Sequence, residues 1–199
     1  MWGCLPCLKY KEGMSSLPVV IVLAAGRGER FAASGGQVHK LQALLGGRPV
    51  IDHVLDAVRA SGLPCHVVHA DPSRPGMGDS IAAGVCATPD APGWLILPAD
   101  LPLVKASTLL AIAAPSSMAV TVPVHEGQRG HPVRFGAVCG PALMQLEGSR
   151  GAASVLQAHM AAGSVALMDV DDAGVVTDID TLDDLQRAEA LLAQRKDAA

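Results

Sequence analysis

The sequence predicts an α/β fold of three layers, α/β/α, around a mostly parallel central sheet. Short apolar β-type runs alternate with segments of helical spacing along the chain. The β-type runs are apolar at successive positions, the pattern of strands buried on both faces. The 199 residues, half of them hydrophobic, suffice for one domain with a sizeable core. The expected organisation is a leader over residues 1–17 and a single domain over residues 18–199. Met14 would be a tidy alternative start.

Val19–Ala24 reads as the first strand. Pro49–Ala60 carries apolar residues at Val50, Ile51, Val54, Leu55 and Val58, a helical spacing with proline suited to the first turn and Gly62 to end it. Cys65–Ala70 is the second strand. Asp79–Ala87 is a short helix with Asp79 or Ser80 as N-cap. Trp94–Leu97 is a strand, Lys105–Ala113 a helix and Met118–Val124 a strand. Val133–Phe135 has the length of a short strand. Val138–Leu146 and Gly151–Ala162 read as helices, Val165–Val170 and Val175–Ile179 as late strands. A last helix runs from Asp180 to about Gln194, where Thr181 and Asp184 form a capping-box-like pair.

Composition excludes several partners. Five aromatic residues leave the core to Val, Leu, Ile, Ala and Met. The net charge of −4, with no basic stripe, argues against nucleic acid. No apolar run reaches the roughly 18–20 residues of a membrane span, and no secretory signal opens the chain. Five scattered cysteines are no disulfide framework, so a cytoplasmic location is expected. Cys4 and Cys7 have metal or redox spacing, but no second pair accompanies them. Between Val19 and Arg195 the only lysines are Lys40 and Lys105.

In such a sheet, ligands bind beyond the carboxyl ends of the strands. The first strand runs through Leu23, Ala24 and Ala25 into Gly26-Arg27-Gly28-Glu29-Arg30. No GxxxxGK[ST] string occurs, and the third glycine and acidic residue of a dinucleotide fingerprint are missing. A glycine loop with its own cations remains. Gly26 and Gly28 let backbone N–H groups approach phosphate, and Arg27 and Arg30 offer bidentate pairing. A tight turn with solvated arginines explains the loop equally well on its own.

Asp100 follows the strand Trp94–Leu97, where Mg2+ takes one or two carboxylates plus substrate phosphates. It lies five residues before Lys105, too early to cap that helix. If the strand persists to Asp178, Ile179 faces the core and the carboxylates of Asp178 and Asp180 face the other side. Asp180 suits an N-cap role, the preferred reading, which leaves Asp178 as the preferred metal ligand. His53, His66, His69 and His159 read as packed or surface residues.

LAAGRGER, Lys40, Asp100 and VxDIDTxxDL together resemble the molybdenum cofactor nucleotidyltransferases, MobA-like enzymes with a Rossmann-like nucleotidyltransferase fold. The resemblance spans residues 18–192. GMGDSIAAG (76–84), GQRGHPVRF (127–135) and LEGSRGAASVL (146–156) are similar to the cytidylyltransferase branch. The resemblance implies transfer of CMP from CTP-Mg2+ to the terminal phosphate of molybdopterin cofactor, with release of pyrophosphate. It implies that Leu23, Ala24 and Ala25 bind the nucleotide with the loop, that Gly26, Arg27, Gly28 and Arg30 cradle the triphosphate, and that Lys40 acts at the α-phosphate. Asp100 and Asp178 would hold Mg2+, and Gly76, Met77, Gly78 and Ser80 would line the base pocket. Arg129, Gly130 and His131 would face the pterin, and a molybdoenzyme of the xanthine dehydrogenase type would receive the product. A phosphate monoester is largely ionised at neutral pH, so no catalytic base is needed. Relatives using GTP or a sugar phosphate, and a non-catalytic cofactor carrier, are the alternatives.

The chain departs from that pattern twice. RFAASGGQVHK puts several extra residues before Lys40, so His39 or Gln37 could share its role. GSRGAA (148–153) lacks the acid and one arginine of the family string, which leaves the acceptor less defined than the transfer chemistry.

Overall fold

β1 (Val19–Ala24) is central to the architecture because both of its faces are apolar. Val20 and Val22 point into one core, and Val19, Ile21 and Leu23 into the other. The computed structural model describes residues 16–73 and 76–197. The Cys4–Cys7 pair, the Met14 start and residues 1–15 of the expected leader lie outside the described residues.

After β1 come a short helix α1 (Glu29–Ala33), a 3-10 turn (Lys40–Gln42) and a two-stranded hairpin, β2 (Leu44–Leu45) and β3 (Arg48–Pro49). The chain continues as α2 (Val50–Ser61), β4 (Cys65–His69), α3 (Met77–Cys86), β5 (Gly93–Pro98) and α4 (Ala106–Ala113). Next are β6 (Val120–His125), β7 (Gln128–Arg129), β8 (Val133–Gly136), α5 (Gly140–Met144), α6 (Ala153–Ala161), β9 (Val165–Asp169) and α7 (Leu182–Asp197).

The main sheet runs β4-β1-β5-β8-β6-β7, with β9 on β6. β4, β1 and β5 are mutually parallel, and β9 is parallel to β6. β8 runs antiparallel to both β5 and β6, and β7 antiparallel to β6. Five of the seven strands therefore point the same way, in the mostly parallel sheet expected. The reversed strand is a finding: Val133–Phe135 has only the length of a short strand, yet Phe135 sits opposite both Trp94 and Val120 inside the sheet.

One core packs α2, α4 and α7 on one face through Val50, Val54, Val58, Leu109, Ile112 and Ala188. The other packs α3, α5 and α6 through Ile81, Val85, Leu143 and Val155. Each fully buried Val, Leu or Ile contributes about 1.5–3 kcal/mol, so these two faces hold the sheet rigid beneath the loops. Among the described residues, no helix is long and apolar enough to cross a membrane.

Several local expectations need correction. Residues 175–179 are not a strand. Ala173–Val176 form a 3-10 turn, because the Asp172 carboxylate captures the Gly174 N–H at 3.1 Å and stops the chain from extending. α3 starts at Met77 with Gly76 as N-cap, and Asp79 instead sits at the third helical position, accepting from the Gly76 N–H at 3.1 Å. The segment 138–146 splits into a 3-10 turn and α5, with a proline in the first turn of α5. The β2–β3 hairpin was missed, although Gly46-Gly47, both at positive φ, are a known two-residue hairpin signal.

Candidate active site

The carboxyl ends of β1 and β5, the start of α3, the β7–β8 connection and residues 175–180 enclose one cavity of about 630 Å³. β1 delivers Leu23 and Ala25, then Gly26, Arg27 and Gly28. Gly28 caps α1 at φ 68°, left-handed backbone that favours glycine. Among the described residues, no protein acceptor takes the N–H of Gly26, Arg27 or Gly28, so these donors are available to a ligand.

His39 fastens this loop from below. Its Nδ1 accepts the Leu41 N–H at 3.3 Å, so Nε2 carries the proton and donates to the Gly26 carbonyl at 2.8 Å. The His39→Ala enzyme is expected to show a nucleotide KM raised about fivefold, the equivalent of one net hydrogen bond of about 1 kcal/mol, with kcat little changed. Steady-state kinetics with varied nucleotide check this; an unchanged KM would remove His39 from loop positioning.

Lys40 follows on the 3-10 turn and is buried. Its Nζ donates to Asp100 Oδ2 at 2.6 Å and to Asp180 Oδ1 at 2.8 Å. Asp180 Oδ2 in turn meets Arg30 at 2.7 Å. Burial disfavours the ammonium, but the charges and hydrogen bonds of Asp100 and Asp180 outweigh it and hold the Lys40 pKa above that of an ordinary lysine. Asp100 Oδ1 is enclosed and has no hydrogen-bond partner.

Asp178 and Asp180 both line the cavity, as do Gly76, Met77 and Ser80. Partial desolvation, reinforced by the charges of Asp180 and Asp100, raises the Asp178 carboxyl above the usual carboxylate range. The preferred capping role of Asp180 is overturned. Thr181 and Asp184 exchange the cap bonds of α7: Asp184 Oδ2 accepts the Thr181 N–H at 2.8 Å, and Thr181 Oγ1 accepts the Asp184 N–H at 3.2 Å. The Asp180 carboxylate is thus left to Lys40 and Arg30.

Arg129, Gly130 and His131 close the far wall with Gln128 and Val175. The His131 N–H binds the Val175 carbonyl at 2.9 Å, joining the β7–β8 connection to the 173–176 turn. Burial lowers the His131 pKa, and its Nδ1 is enclosed without a partner.

Two expected residues do not line the cavity. Ala24 packs against the core shared with α2. Gly78 lies against the loop at Glu147, where a Cβ would fall 2.9 Å from the carbonyl oxygen, so its part is close packing. That same loop is tied to α3 by Asp79 Oδ2, which accepts the Gly148 N–H at 3.2 Å.

A glycine loop with free N–H groups, buried Lys40 and convergent carboxylates together have the chemistry to hold a polyphosphate. The profile of the MobA-like NTP transferase domain matches residues 20–163. The chain belongs to the MobA-like NTP transferase family. This MobA-like domain is 27% identical over 186 residues to the purine catabolism protein PucB of Bacillus subtilis, covering 81% of this chain and 90% of that protein. It also matches the bifunctional protein GlmU of Stenotrophomonas maltophilia at 29% identity, covering 67% of this chain but only 32% of GlmU. A nucleotidyl transferase from Methanothermobacter thermautotroptrophicus shares the fold with a TM-score of 0.75 at 21% identity, covering 90% of this chain and 99% of that one. Rv0371c of Mycobacterium tuberculosis, solved as a manganese complex, has a TM-score of 0.68 at 21% identity, covering 87% and 98%. The fold is the Rossmann-like nucleotidyltransferase fold.

The donor set suits a hard divalent cation. Mg2+ and Mn2+ sites in this chemistry use one or two carboxylates and complete their shell with phosphate and water. Among the described residues no group of three His, Cys, Asp or Glu forms an all-protein cage. The unpaired Asp100 Oδ1 fits a ligand to such a cation, with Asp180 across Lys40 and Asp178 beside it. Asp180 is the functional candidate that sequence reasoning set aside; its alternation with Asp178 was the available signal.

Proposed function

We propose that the protein transfers CMP from CTP to the terminal phosphate of molybdopterin cofactor and releases pyrophosphate. The observation that carries this reading is the Lys40–Asp100–Asp180 cluster facing the glycine loop across one cavity. The phosphate oxygen of the acceptor attacks the α-phosphorus, the bond to the β-phosphate bridging oxygen breaks, and a phosphoanhydride forms.

Catalysis here is positioning and charge stabilisation. Gly26, Arg27 and Gly28 hold the triphosphate through backbone N–H groups, with Arg27 and Arg30 pairing its outer oxygens. Lys40 stabilises charge on the α-phosphate. Asp100, Asp180 and Asp178 would hold the divalent cation, Mg2+ in this reading, which would neutralise charge on the phosphates. That Rv0371c was solved as a manganese complex supports a divalent cation in this reading. Met77, Ser80 and the backbone of Gly76 face the base, and the choice of cytosine rests on the Gly76–Ser80 string. Arg129, Gly130 and His131 face the acceptor. The PucB likeness favours a client of the xanthine dehydrogenase type, since xanthine is a purine.

Pyrophosphate release with Mg2+ and molybdopterin cofactor tests this with CTP, GTP, ATP and UTP in parallel. The expected result is a preference for CTP of at least about tenfold, the scale of roughly 1.4 kcal/mol in pocket contacts. Preference for GTP would assign the guanylyl reaction. Tight cofactor binding without turnover of any nucleotide would assign a carrier.

A further inference from the structure

We propose that Lys40 is an internal counter-cation that occupies the divalent-cation position in the nucleotide-free protein and must leave it when the cation binds. The inference rests on the proposed reading of Asp100 and Asp180 as metal ligands. The Lys40 Nζ bridges Asp100 Oδ2 and Asp180 Oδ1 at 2.6 and 2.8 Å, as a metal ion shared by two carboxylates would. Arg30 takes the second oxygen of Asp180. Only Asp100 Oδ1 is left unpaired among the four oxygens of this carboxylate pair. With Asp178 beside it, that one oxygen still leaves a hard cation only a single contact from this carboxylate pair, where both carboxylates would otherwise hold it. The two positive side chains also repel a second cation at short range.

The lysine has somewhere to go. Its stem runs beneath the glycine loop: a Cβ on Gly28 would lie 3.5 Å from Lys40 Cγ, and one on Gly26 4.0 Å from Cε. Rotation about the last side-chain bonds therefore carries Nζ from the carboxylates toward the phosphate-binding N–H groups. A triphosphate attracts the ammonium and brings the cation that replaces it. Metal alone binds poorly; metal and nucleotide enter together, and the exchange delivers Lys40 to the phosphates. If Lys40 is instead a fixed structural tie, the cation must bind beside it without displacing it.

Mn2+ titration without nucleotide separates the two, read from the electron paramagnetic resonance of free Mn2+. Lys40→Met is expected to bind Mn2+ at least about tenfold tighter than the wild type, because a like charge a few ångströms from the ion is removed. Lys40→Arg keeps the charge and is expected to bind as weakly as the wild type. Asp100→Asn added to Lys40→Met is expected to erase the gain. A second readout needs no variant: reductive methylation of Lys40 in the wild type, followed by peptide mass and referenced to Lys105. Methylation of Lys40 is expected to accelerate several-fold at saturating Mn2+. Equal or weaker Mn2+ binding by folded Lys40→Met, or Lys40 methylation unmoved by Mn2+, would overturn the exchange. Should Lys40→Met not fold, the methylation result decides. Loss of the functional reading looks different: no nucleotide is turned over, while the metal titrations keep their expected order.

Discussion

Replacing Asp100 with asparagine is expected to lower nucleotidyl transfer about a hundred- to a thousandfold, the usual loss when one charge-stabilising group is removed from a transition state. The substitution preserves side-chain volume at the end of β5, so the backbone bonds of this segment persist, including Ile179 N–H to the Asp100 carbonyl at 2.9 Å. It removes the negative charge that faces Lys40 at 2.6 Å and turns one carboxylate oxygen into an amide NH2, a donor that cannot ligate a cation. The deficit should sit mainly in kcat, with a raised requirement for Mg2+, because the glycine loop that would hold the triphosphate is left untouched. Pyrophosphate release at several Mg2+ concentrations, with a thermal melt as the folding control, checks this. Activity within tenfold of the wild type would sink the assignment of Asp100 to the cation.

The second large effect concerns stability. Asp172 is 1% exposed and accepts four hydrogen bonds: from the Lys105 N–H at 2.9 Å, Thr108 Oγ1 at 2.7 Å, the Gly174 N–H at 3.1 Å and Arg195 at 2.8 Å. It therefore caps α4, shapes the 173–176 turn and anchors the end of α7. Leaving the Lys105 N–H, the Thr108 hydroxyl and the Gly174 N–H without their acceptor costs about 3–5 kcal/mol in all, toward the lower end of roughly 1–3 kcal/mol for each unsatisfied donor. Asp172→Ala is expected to lower the melting temperature by on the order of 10 °C, at roughly 2–4 °C per kcal/mol for a domain of this size. Asp172→Asn, which retains an acceptor, should lose less. A melt of Asp172→Ala within about 2 °C of the wild type, less than 1 kcal/mol on that scale, would contradict the role. Because the turn carries the Val175 carbonyl that receives the His131 N–H, the alanine variant should also weaken acceptor binding at temperatures where it stays folded.

What the sequence disclosed depended on how far apart the deciding atoms lie in the chain. β1 with its glycine loop and the Thr181–Asp184 cap are local, and both were legible from a few neighbouring residues. Asp100 was legible too, because the end of an apolar strand is itself a location. Asp180 was not: the cap role was the better local reading, and the lysine that decides it is 140 positions away. The position of β8 was hidden for the same reason, since pairing with β5 and β6 leaves no mark on four residues. His39 escaped notice as a support because its partner, the Gly26 carbonyl, is a backbone atom that every residue type possesses.

The reversed strand β8 gives the domain a grain boundary. On one side, β4, β1 and β5 carry the glycine loop, the start of α3 and Asp100; on the other, β6, β7 and β9 carry the wall built by Arg129 and His131. Within the second block, β7 needs only a hairpin to join its antiparallel neighbour β6, not a helical crossover. Lengthening such a connection costs little, about 0.6 kcal/mol per doubling. The second block can thus be remodelled as a cassette to suit a new acceptor while the phosphate machinery stays in place. Chimaeras joined along this seam are the natural way to redirect the enzyme.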